Sequence, residues 1–207
     1  VGTRRKALDT AVDKAGQPTT ATLASWADVA LRAGRFNLVV PALRDEFERN
    51  PGKSDIANRL AYAYLRLGRI TDANTVMTNF AKRGTPDAYG FAVMAIVKAE
   101  LGDVTGSDDA IKEALLADPD DQSVIAAQAY IALKFVRYRL GNQLSFNLNY
   151  DDLAGKDLPA KQESRATLVK LVGQLQQTQA ARTETLYYRQ AAFDKLGELS
   201  SAQKADR

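Results

Sequence analysis

The side chains best placed to do chemistry are paired carboxylates: Asp108-Asp109, Asp118-Pro119-Asp120-Asp121 and Asp151-Asp152. Two carboxylates facing each other across a cleft are what glycoside hydrolysis uses, and a dense acidic run can hold calcium. The spacing disfavours both. Each pair is adjacent in sequence and falls at an expected loop or helix start, where Asp caps free N–H groups and meets the positive end of the helix. The 118–121 run also lacks the glycine and closing glutamate of a twelve-residue calcium loop. The sequence has no His and no Cys. An imidazole base, a thiol nucleophile, a disulfide and a Cys/His zinc site are therefore all excluded. Carboxylates in the 142–160 loop leave a carboxylate enzyme as the last-ranked reading. The expectation is a protein without catalytic residues, metal or cofactor.

The tyrosines suggest a different chemistry, that of recognition. Tyr62, Tyr64, Tyr89, Tyr130 and Tyr138 fall in segments of helical periodicity, and each joins an apolar ring to a polar tip. Charge gives little help to nucleic acid as a partner. Lys+Arg number 28 against Asp+Glu 25, and the excess is spread along the chain, with Arg4-Arg5-Lys6 its one basic cluster. A nucleic-acid binder ordinarily carries a basic face. No apolar run nears the ~18 residues of a membrane span.

The elements that must position these residues repeat. Gly34, Gly68 and Gly102 are spaced by 34 and 34, and Pro18, Pro51, Pro86 and Pro119 follow at steps of 33, 35 and 33. Before each glycine the apolar spacing is helical: Trp26, Val29, Ala30 and Ala33, then Leu60, Ala61, Tyr64, Leu65 and Leu67. A second stretch follows each glycine: Leu38, Leu43 and Phe47, then Ala73, Met77 and Phe80, then Ile111, Leu115 and Leu116. Steps of three and four predict amphipathic helices. Glycine ends one helix and turns the chain, and proline precedes the next.

A helix–turn–helix unit of 34 residues resembles the tetratricopeptide repeat family. With the glycine as the family's fifteenth position, units start at Thr20, Ser54 and Ala88. The small residue of the first helix is then Ala27, Ala61 and Ala95. That of the second helix is Ala73, with departures at Val39 and Ser107. The fold class implied is all-α, an α–α superhelix of antiparallel helix pairs. Residues 1–17 form the second helix of a truncated repeat or a cap, and 18–121 form three units. Residues 122–160 form a distorted fourth first helix plus a loop. Residues 161–207 form C-terminal helices in which a repeat-like unit returns. The expectation is a chain cut inside repeats at both ends, as a slice of a longer solenoid would be; solubilising end caps are the other reading.

The resemblance also implies that first helices line a concave groove. Carried over residue by residue, the lining is Asp28, Leu31 and Arg32; Asn58, Tyr62, Leu65 and Arg66; Tyr89 and Ile96; and Tyr130, Leu133 and Lys134, with Asp55 and Glu100 at matching positions. Trp26 and Tyr64 are assigned to the core instead. Such a lining suits an extended peptide or an inserted helix. The family's carboxylate clamp for chaperone tails is missing, since Ala24, Asp28, Tyr89 and Val93 stand where Lys, Asn, Lys and Arg would be needed. The function implied is a non-enzymatic interaction scaffold holding a protein or peptide ligand. A runner-up reading is a periplasmic segment of a bacterial outer-membrane protein, of the exopolysaccharide-export or phage-adsorption type. There the groove recruits partners or contacts polysaccharide. Location stays open, with the periplasm ahead of the cytoplasm.

Overall fold

A computed structural model describes residues 2–16 and 18–134, together with Tyr187, Tyr188, Gln190, Ala191 and Asp194. The described residues are all-α, with no strand among them. Eight helices follow in order: α1 (Gly2–Ala15), α2 (Leu23–Arg32), α3 (Phe36–Arg49), α4 (Ser54–Arg66), α5 (Ile70–Arg83), α6 (Ala88–Glu100), α7 (Val104–Ala117) and α8 (Gln122–Lys134). Their bounds recur at 34 residues. The helices α3, α5 and α7 begin at 36, 70 and 104, and α4, α6 and α8 begin at 54, 88 and 122.

The recurrence has a backbone cause. Gly34, Gly68 and Gly102 have φ of 77°, 72° and 79°, in the left-handed region where a Cβ is strained. Each closes its helix with the same pair of bonds. Arg35 N donates to Ala30 O and Gly34 N to Leu31 O; Arg69 N donates to Tyr64 O and Gly68 N to Leu65 O; Asp103 N donates to Lys98 O and Gly102 N to Ala99 O. This six-to-one and five-to-two pairing is the Schellman end, which satisfies carbonyls that a helix terminus leaves free. Three residues then suffice to start the next helix, which packs against the last in the pairs α2–α3, α4–α5 and α6–α7.

Small residues let the pairs approach. Ala27, Ala61 and Ala95 are fully buried, as are Val39, Ala73 and Ser107 on the second helices. Ser107 is polar in that position because its hydroxyl donates to the Ala95 carbonyl at 2.9 Å, across the α6–α7 contact. The apolar core runs through α2 to α8 without a break, from Leu23 and Trp26 through Leu60, Phe80 and Val93 to Val124 and Ile131. The helices α2, α4, α6 and α8 also pack in sequence against one another, so the first helices form a row.

Several expectations need amendment. Helix α2 begins at Leu23, three residues later than the period places it. The hydroxyl-rich run ahead of it folds instead as a local turn, with Thr19 N donating to Thr22 Oγ1 at 3.0 Å and Thr22 N to Thr19 O at 3.0 Å. Leu38 and Leu116 are exposed, 43% and 79%, because they lie off the buried stripes Val39–Leu43–Phe47 and Ser107–Ile111–Ala114. Ala11 on α1 is also exposed, leaving Val12 as the buried anchor of that helix. The expected loop at 142–160, the helix from Pro159 and the start of the helix at Thr183 lie outside the described residues.

Candidate interaction face

Of the acidic clusters, the 118–121 run resolves into helix-end chemistry. Asp121 accepts from Ser123 N at 2.7 Å at the start of α8, and Asp118 accepts from Asp120 N at 3.0 Å. Asp108 and Asp109 lie inside α7, not at its start. The caps there and on α6 are Asp103, accepting from Gly106 N at 2.9 Å, and Asp87, accepting from Gly90 N at 2.7 Å. The Gly106 amide, with Lys98 3.2 Å away, holds the Asp103 carboxyl below its ordinary range. Asp151 and Asp152 lie outside the described residues. Among the described residues no group of three acidic side chains is gathered as a metal site.

The residues expected to line the groove fall into three sets. Leu31, Asn58, Tyr89 and Ile96 are buried, at 8% exposure or less, as is Tyr62 at 1%. Asp28 receives Arg59 Nε at 2.9 Å and Nη2 at 3.2 Å, a two-pronged link between α2 and α4. Arg32 is exposed, and Leu65 is half-buried against the core. Leu133 lies on α8, its side chain outside the described set. Trp26 and Tyr64 are buried in the core.

Tyr62, Arg66, Tyr130 and Lys134 form the third set, and these come together with Glu100. Arg66 Nη1 donates to Tyr62 Oη at 3.1 Å, one turn back along α4. Its guanidinium lies 4.8 Å from the Phe36 ring centre. Across the row, Tyr130 Oη and Lys134 Nζ both donate to Glu100 Oε1, at 2.5 Å and 2.8 Å. Burial, and then the bond to Glu100, pushes the Tyr130 hydroxyl well above the ordinary tyrosine value, so it remains a donor.

Two rings from far along the chain sit on this surface. Tyr187 is 5.9 Å and Tyr188 6.1 Å from the Tyr62 ring centre, both edge-on, and Tyr188 is 5.6 Å from Tyr130. The Arg66 guanidinium lies 4.0 Å over Tyr187, between that ring and Phe36. Tyr188 is buried at 4% exposure and Tyr187 is half-buried. Edge-on ring pairs contribute ~0.5–1.5 kcal/mol beyond their area. A guanidinium over a ring contributes ~0.5–2 kcal/mol, more as it is desolvated.

Sequence reasoning missed Phe36, Tyr187 and Tyr188. Phe36 is the first residue of α3 and so is absent from a list of first-helix positions. The adjacent pair Tyr187-Tyr188 is visible in the sequence, but nothing local says that it reaches α4 and α8. No protein-family model matches the sequence, and no curated protein matches it. No described helix is long and apolar enough to cross a membrane.

Proposed function

We propose that this chain is a non-catalytic interaction scaffold of the tetratricopeptide kind, whose first helices form the inner face of a superhelix and take up a helix or peptide. The 34-residue recurrence of helix bounds and glycine ends supports the architecture. The observation that carries the function is the seating of Tyr187 and Tyr188 against Tyr62, Arg66 and Tyr130. A surface that receives aromatic side chains from a distant helical segment has the shape and chemistry to receive them from a ligand.

The face combines what such recognition needs. Tyr62 and Tyr130 offer ring surface with hydroxyls already engaged, and Arg66 offers a cation that stacks on an incoming ring. Aromatic and Arg anchors of this kind dominate binding energy, at ~2 kcal/mol or more each on truncation. The polar rim of Arg66, Glu100 and Lys134 sets orientation more than affinity.

The test is selection of helical peptides from a displayed random library on the intact chain. Recovered binders should be rich in aromatic residues and should lose binding to an Arg66→Glu variant of unchanged helicity. A library that yields no binder, or binders indifferent to Arg66→Glu, would remove the reading. Capture of glycans in place of peptides would reassign the face to sugar.

A further inference from the structure

The face is not empty. Tyr187, Tyr188 and Ala191 are half-buried or buried, while Gln190 and Asp194 are exposed and joined at 2.9 Å, one helical turn apart. Residues 187, 188 and 191, related by steps of three and four, lie on one stripe of a helical segment. We infer that this segment is the face's resident ligand, and that an outside partner is a helix presenting two consecutive aromatic residues that enters by displacing it. The inference rests on the reading of the face as a ligand surface and names the ligand's chemistry.

Two observations support exchange over permanent packing. The first is how the face satisfies its own polar groups. The Tyr62 hydroxyl is held by Arg66 and the Tyr130 hydroxyl by Glu100, which Lys134 also holds, all from α4, α6 and α8. Departure of the segment leaves those bonds in place, so the face is organised without its occupant. The second is the character of the contact. Elsewhere the buried helix contacts are apolar, aliphatic and aromatic together, as at Leu60, Ala61, Phe80 and Val93, all 1% exposed or less. The segment meets the face through rings and a guanidinium whose side chain reaches solvent, which is the composition of a recognition surface. Being part of the same chain, the segment competes at a high effective concentration, so a free partner must bind the bare face more tightly than the segment does.

The experiment uses the full chain and a fluorescent peptide spanning residues 183–198. A Tyr187→Ser/Tyr188→Ser chain, its face vacated, should bind the peptide at least about tenfold more tightly than the wild type. The same peptide with both tyrosines replaced by serine should bind neither. Equal affinity of the two chains, or binding that ignores the peptide's tyrosines, overturns the inference. A reading that needs no destabilising substitution uses the wild-type chain with 3-fluorotyrosine at position 187. Excess peptide should move its fluorine resonance to that of the free peptide; a resonance unmoved at the highest soluble peptide concentration overturns it too. Library peptides that need Arg66 yet do not compete with the 183–198 peptide defeat this inference alone. The absence of any Arg66-dependent binder defeats the functional reading beneath it.

Discussion

The glycine turns and the aromatic face are built on the same helices by opposite means. Each turn is a local device of six residues, and the three instances agree to within a few degrees of φ and in both closing hydrogen bonds. The face occurs once. It gathers Phe36, Tyr62, Arg66, Glu100, Tyr130 and Lys134 with Tyr187 and Tyr188; Tyr62 and Tyr130 share one position of the period, and Arg66, Glu100 and Lys134 another, but the residue types there change from unit to unit. The position matching Tyr62 is Ile96 one unit later, which is buried as plain core, and Tyr130 after that, which binds Glu100. Periodicity makes the frame and sets these positions, and the residue types that vary at them make the surface.

Substitutions that weaken the frame should act on stability and leave the face's preference for rings intact in whatever remains folded. The largest effect is expected from Phe80→Ala. Its ring is fully buried on α5, so the cost should be about 3–5 kcal/mol in denaturant unfolding. Glu46 should follow. It is 1% exposed and accepts from Lys53 at 2.6 Å and Asn50 at 3.0 Å, with Arg49 at 3.1 Å. Glu46→Ala removes charged hydrogen bonds worth about 1.5–3 kcal/mol.

Glu46 also sets a pH dependence. The bond from Lys53, aided by Asn50 and Arg49, holds its carboxyl below the ordinary 4.5, against burial acting the other way. A carboxyl depressed in the folded state contributes stability in full above its unfolded value and loses it as pH falls through the folded one. Unfolding free energy should therefore fall below about pH 4.5, and Glu46→Gln should flatten that part of the curve. Equal slopes for the two proteins would deny the pairing its role.

The comparison is sharpened by paired glycine substitutions. A Cβ on Gly68 or Gly102 would meet nothing within 4 Å, so only the left-handed backbone resists it. Gly68→Ala and Gly102→Ala should each cost about 1–2 kcal/mol and differ by less than about 0.5 kcal/mol. A clear inequality would mean that the turns are not equivalent. The smallest effect on stability is expected on the face. Arg66→Ala removes an exposed side chain and should cost about 0.5–1 kcal/mol, while weakening a tyrosine-bearing peptide several-fold by fluorescence anisotropy.

The frame was legible because its causes are local. A glycine with φ near 75° and a buried alanine seven residues before it leave their mark in the sequence at a fixed step, as Gly68 and Ala61 do. The late start of α2 was not legible from the period, since the Thr19–Thr22 turn competes with the helix through side-chain bonds that unit two and unit three do not make. Of the face, Tyr62, Arg66, Tyr130 and Lys134 could be reached by counting positions within a repeat. Tyr187 and Tyr188 could not, because what brings them to Tyr62 is a tertiary contact spanning more than 120 positions of sequence. Counting also overreached. It placed Leu31, Asn58 and Ile96 with the lining, and all three are buried, at 2% exposure or less.

The central claim is that the row of first helices receives the Tyr187–Tyr188 segment through Arg66. A double-mutant cycle of Arg66→Ala and Tyr187→Leu, followed by denaturant unfolding of the four proteins, tests it most directly. The 4.0 Å stacking predicts a coupling of about 0.5–2 kcal/mol between the two sites. Additivity within about 0.3 kcal/mol would contradict the contact, and with it the account of the face.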